Sequence, residues 1–210
     1  MSDLIFLLTV FIALFAILNP VGAVPILMSL TEGYSRKERG GVIFNSVMVA
    51  AGMLISFMLI GIYVFEVLGI NIADFQIAGG ILVFKVAFDM LQGRTSTTKL
   101  TKTEQEESLQ KESIGVVPIG TPLLAGPGSL TTAIIYFNLR STSYAEKFLV
   151  LLAVLLVIAA SFFILKYSSR IFEKIGKTGS LIVSRIMGLL IAAIGVSFIV
   201  EGLLSVFPAL

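Results

Sequence analysis

The chain has 210 residues, 57% of them hydrophobic and 13% charged, with a mean hydropathy of +1.01. A soluble domain carries about 25% charged residues, so the apolar excess here requires lipid as its solvent. Fifteen Lys and Arg against thirteen Asp and Glu leave no basic surplus for a nucleic-acid partner. The absence of Cys and His removes disulfides, thiolate metal sites, a cysteine nucleophile and the commonest general base. No metal, cofactor or enzyme chemistry is expected.

Met1-Ser2-Asp3 offers no positive n-region, so no removable signal peptide is expected and the first apolar run stays. Six apolar runs of membrane length follow, roughly Leu4–Leu30, Gly41–Phe65, Phe75–Leu91, Ile114–Leu139, Phe148–Leu165 and Ile182–Val206. A polar Thr, Lys, Glu and Gln-rich stretch over 93–113 separates the third from the fourth and reads as an exposed linker. The loops after the first, third and fifth runs hold twelve Lys and Arg, whereas the opposite side holds two, Arg140 and Lys147. By the positive-inside rule this predicts a plasma-membrane protein with cytoplasmic basic loops and both termini outside. Glu66, Asp74 and Glu201 fall near the outer ends of their segments and read as interfacial.

The first run is interrupted by Asn19-Pro20-Val21-Gly22, and the fourth by Ala125-Gly126-Pro127-Gly128-Ser129. Proline removes a backbone donor and clashes with the preceding turn, so neither run is expected to be one continuous helix. Bare peptide groups in hydrocarbon cost several kcal/mol each, and such breaks persist only inside protein or beside a water-filled cavity. Pro20 and Pro127 are 107 residues apart, Arg39 and Lys147 108, and Gln76 and Arg185 109. Three spans per half is an odd number, so the second half enters from the other side. The expected fold is an all-α membrane protein of six transmembrane helices in two inverted three-helix repeats, 1–92 and 114–210. Helices 1 and 4 are broken near the midplane. Two unrelated proline kinks are the plain alternative.

Asn19 is a favoured N-cap and Pro20 suits the first helical position; Gly126 and Pro127 can play the same parts in the fourth run. Two half-helix N-termini meeting at mid-depth supply N–H groups and partial positive charge for a carboxylate. Carbonyls ending the preceding half-helices, around Ile17-Leu18 and Thr121-Pro122, can accept from an ammonium. A small zwitterion, an amino acid, fits both. Gly22, Gly126 and Gly128 would let a ligand approach the backbone closely. Thr121, Ser129, Thr131 and Thr132 offer hydroxyls, although Thr131 and Thr132 can equally bond back to their own helix. Lys85 and Asp89, four residues apart inside the third run, are candidates for ion coupling or gating, with Asn45 a weaker one. A structural pair or a snorkelling lysine is the competing reading.

Asn19-Pro20-Val21-Gly22 and Gly126-Pro127-Gly128-Ser129, in a six-span chain of this length, resemble the MarC family. Its characterised members include SnatA-type small neutral amino acid transporters. The resemblance spans essentially the whole chain. It implies ion-driven, proton-coupled transport of glycine, alanine and similar amino acids, with contacts at Asn19 to Gly22 (Pro20 and Val21 included) and Thr121 to Ser129. It narrows the class better than the cargo. A passive channel of the aquaporin or glycerol-facilitator type, which also places Asn-Pro at half-helix N-termini, is the alternative.

Overall fold

A computed structural model of the chain describes residues 3–93 and 124–207, and every regular element among them is helical. The polar linker, Thr121 and the start of the fourth run lie outside the described residues. Helices α1 (Asp3–Leu18) and α2 (Pro20–Leu30) come from the first run, α3 (Arg36–Leu68) from the second and α4 (Ile72–Leu91) from the third. Helix α5 (Pro127–Ile134) continues into a π-helical segment, Ile135–Arg140, followed by α6 (Tyr144–Lys166) and α7 (Ser168–Val206).

Four stretches are long and apolar enough to cross a membrane: Asp3–Met28 taken across its break, Arg36–Leu68, Tyr144–Lys166 and Thr178–Val206. At 1.5 Å per residue, 23 to 33 residues give about 35–50 Å, beyond the roughly 30 Å of hydrocarbon. Helix α4 has 20 residues, also enough to span. Asp74, Lys85 and Asp89 make it less apolar than the other four.

Two helices start with the same device. Ser35 accepts from the Glu38 N–H while the Glu38 carboxylate accepts from the Ser35 N–H, a capping box at the head of α3. Ser143 and Glu146 repeat it at the head of α6, 108 residues on. Helix α3 ends on Gly69 in the left-handed region, φ 68°.

The segment after α6 departs from the loop expected there. Residues Ser168–Ile175 are helical, and the left-handed, extended Gly176 (φ 65°, ψ −175°) separates them from the long span that follows. Ile171 and Phe172 pack against the cluster of Val24, Leu27 and Leu165, while Arg170 and Lys174 are exposed. That two-sided pattern makes a short surface helix, and its basic face hid it in a charge count.

The most extensive helix pair is α4 with α7. They run antiparallel on a line of small residues. A Cβ added at Gly195 would lie 2.8 Å from Phe84 N and 3.0 Å from Gly80 O. One added at Gly188 would lie 3.1 Å from Ala87 O, and one at Gly202 3.0 Å from Ala73 O. Lipid tails supply no hydrophobic drive between helices, so backbone-to-backbone packing of this kind holds such pairs together. Helix α6 lies along the first run, with Val150, Ala153 and Val154 in one cluster with α1 and Leu165 in another with α2. At the α2 end, Arg39 ties three elements. Its Nε donates to Thr31 Oγ1 (3.0 Å), Nη2 to Thr31 O (3.2 Å) and Nη1 to Ser169 Oγ (2.9 Å).

Candidate functional site

The first break is a single residue. Asn19 has φ 43°, the only non-glycine positive φ among the described residues. Asn visits this region more readily than other L-residues. Its Oδ1 accepts from Gly22 N–H at 3.1 Å, so Asn19 is the N-cap of α2, with Pro20 in the first helical position. Pro20 has no N–H for the Ala16 carbonyl, and the Gly22 N–H turns to the cap. The other end of the amide, Nδ2, donates to Ser184 Oγ on α7 at 3.0 Å.

Gly22 is required by that arrangement. A Cβ there would lie 2.2 Å from Asn19 Nδ2 and 2.5 Å from Ser184 Oγ. The close approach expected of a ligand at Gly22 is taken by the protein's own Asn19 and Ser184 side chains.

The second break is built differently. Gly126 is the N-cap of α5 with extended backbone (φ −79°, ψ 171°) and makes no side-chain cap. Pro127 again leads the helix. Ser129 Oγ donates backward, its one proton shared between Gly126 O (2.9 Å) and Leu124 O (3.2 Å), so among the described residues no side chain caps the Gly128 and Ser129 N–H groups. Thr132 Oγ1 bonds back to Gly128 O at 2.8 Å. Thr131 turns its methyl onto Gly79 of α4, where a Cβ would lie 2.1 Å from Thr131 Cγ2. Both threonines therefore serve packing and their own helix.

The two breaks meet. A Cβ on Gly128 would touch Ile17 Cγ2 at 3.5 Å, together with Val86 (3.5 Å) and Val83 (3.8 Å) of α4. Ile17 and Leu18, which end α1, share a cluster with Ala133 and Ile135. Leu124 and Ala125, just before the second break, share one with Ala23, Val24 and Leu27 of α2. The half before the first break thus packs beside the half after the second, and the half after the first beside the residues just before the second. Pro20, Gly128, Ser129, Thr131 and Thr132 are buried, Asn19, Val21, Gly22 and Gly126 half-buried, and Pro127 exposed.

The polar residues of α3 and α4 are not drawn into this centre. Asn45 and Lys85 are exposed and Asp89 is half-buried. Among the described residues no ion pair joins Lys85 to Asp89.

A polar cluster that the sequence did not single out lies at the other end of α5. Arg140, the last π-helical residue, pairs with Glu201 of α7 through both Nη2 and Nε, the latter at 3.2 Å from Oε2. Gln76 Nε2 (3.0 Å) and Ser197 Oγ (3.0 Å) also donate to that carboxylate. The guanidinium lies 4.9 Å from the ring centres of both Tyr136 and Phe198. A cavity of about 550 Å³ opens beside it. Arg140 counted only as a loop charge and Glu201 as interfacial, because 61 residues separate them and no periodicity links them.

Apolar helices of membrane length, a helix broken inside its span and buried polar groups at the break define an integral membrane protein. Residues 4–207 match the family described as MarC family integral membrane protein, and the chain belongs to it. It is 38% identical over 201 residues to the UPF0056 membrane protein MJ1677 of Methanocaldococcus jannaschii, covering 96% of this chain and 97% of that one. It is 35% identical over 206 residues to UPF0056 membrane protein YvbG of Bacillus subtilis (98% and 97% covered). With UPF0056 membrane protein YhcE of Escherichia coli it shares 36% over 201 residues (95% and 93%). None of these three names states a cargo. No solved structure matches the chain.

Proposed function

We propose that this protein is a secondary transporter of small neutral amino acids such as glycine and alanine, working by alternating access in the plasma membrane. The observation that carries the reading is the meeting of the two Pro-led breaks, with Gly128 packed against Ile17 and no side-chain cap on the α5 N-terminus among the described residues. Uncapped N–H groups at a helix start favour a carboxylate by hydrogen bonding and by roughly half a unit of positive charge. The ligand's carboxylate is assigned to Gly128 and Ser129 N–H, and its ammonium to carbonyls at the end of α1.

The chain is read as two inverted three-helix repeats, with termini outside and basic loops cytoplasmic. Support comes from the capping boxes at Ser35 and Ser143, the Pro20 and Pro127 breaks and the twelve-to-two basic bias. In such a fold the site stays fixed while one repeat rocks against the other. With no histidine in the chain, proton coupling would fall to a carboxylate, and the half-buried Asp89 is the assigned one.

Counterflow of labelled glycine and alanine in proteoliposomes, with and without a pH gradient, tests this reading. Saturable exchange accelerated by the gradient is expected. Fast, non-saturating water or glycerol flux in an osmotic-swelling assay would sink the carrier in favour of a channel.

A further inference from the structure

The Arg140–Glu201 cluster fits two things: a plain structural strut, or a place where a ligand enters. A strut between the π-helical segment and α7 needs only the pair. Here the carboxylate also takes Gln76 from α4 and Ser197, and the guanidinium also donates to Ser197 Oγ (3.0 Å) and Tyr136 OH (3.1 Å). Both charges keep solvent contact on the cavity side, with side chains 24% and 41% exposed. The segment presenting Arg140 is π-helical, a rare geometry that occurs frequently at functional sites. Asn71, Gln76, Ser205 and the charged pair line the cavity, so its wall carries one fixed cation, one fixed anion and neutral polar groups.

We propose that this cavity is an entry site for free zwitterionic amino acids, separate from the site between the breaks. A zwitterion carries the same two charges as the pair it would meet. Its carboxylate takes Arg140 and its ammonium takes Glu201, so neither protein charge loses its partner as the ion pair opens. A mono-ion would satisfy one charge and strand the other, which costs far more than a matched exchange. The exchange frees the π-helical segment from α4 and α7 on the side where the cavity opens. The choice of amino acids as the zwitterion rests on the transport reading above.

The chain has no cysteine, so one introduced thiol reports alone. Ser205 lines the cavity, and among the described residues its hydroxyl bonds only to Glu201 O of its own helix (2.9 Å), so Ser205→Cys leaves the pair intact. The experiment reads modification of Ser205→Cys by a membrane-impermeant maleimide in proteoliposomes, with alanine uptake measured on the same vesicles. At roughly ten times its Kd, alanine should slow labelling about tenfold. Acetate or methylamine at the same concentration should leave the rate unchanged. Adding Glu201→Gln should abolish the protection. Saturable uptake without protection overturns the entry site and leaves the transport reading standing. Equal protection by acetate also overturns it, in favour of an anion site. Protection without uptake supports the site and overturns transport, and the loss of both overturns the two together.

Discussion

Asn19 and Gly126 each stand before a proline that starts a half-helix, yet they solve the same problem in opposite ways. At Asn19 the side chain closes the helix start, accepting from Gly22 N–H and reaching across to Ser184 on α7. At Gly126 there is no side chain to close anything, and the Ser129 hydroxyl turns to the carbonyls before the break. The first break is a sealed joint between two helices. The second shows no side-chain cap among the described residues. On the reading proposed above, the first break is the structural half of the pair and the second the binding half.

Substitutions at four positions probe that division. The largest effect on stability is expected at Gly22, where even Ala places a Cβ 2.2 Å from Asn19 Nδ2. Gly22→Ala should displace the cap, lower stability in detergent by about 1–3 kcal/mol and cut uptake more than about tenfold. Unchanged thermal unfolding and uptake would remove the sealed joint. Gly128→Ala should be the mild counterpart, because its Cβ meets only ordinary contacts from 3.5 Å outward. Its unfolding midpoint should stay near wild type, whereas Gly128→Leu should abolish uptake in a protein that still inserts. Normal saturable uptake by Gly128→Leu would contradict the binding half.

Asn19→Ala comes next, losing a cap worth about 1–2 kcal/mol and the local hydrogen bonding that offsets the strain of a Cβ at positive φ. Asn19→Gly removes that strain but not the lost bond to Ser184, so it should unfold between Ala and wild type. Should Ala and Gly behave alike, the backbone at Asn19 is not strained. The smallest effect is expected for Thr132→Ser, which keeps the bond to Gly128 O (2.8 Å) and loses only a methyl group. A shift beyond about 1.5 kcal/mol in thermal unfolding would give that side chain a larger part than its back-bond.

Much of this was legible in advance because the physics is local. Membrane length, proline breaks, Asn19 as N-cap and Pro20 at the first helical position all follow from groups within four residues of each other. The exposed face of Ser168–Ile175 misled, because a charge count sees Arg170 and Lys174 and misses the two-residue apolar face that packs on α2.

The sequence by itself determined the solvent, four of the membrane-length segments, the two breaks and the family, since these depend on composition, short-range sterics and motif. Only the tertiary structure decided which break is sealed, because the partner that seals it, Ser184, lies 165 residues away. It also decided that Thr131 faces Gly79, and that Arg140 and Glu201 pair. Contacts between residues so far apart are set by how antiparallel helices such as α4 and α7 align. That alignment comes from backbones touching at Gly80 and Gly195, a steric fit that no local pattern encodes.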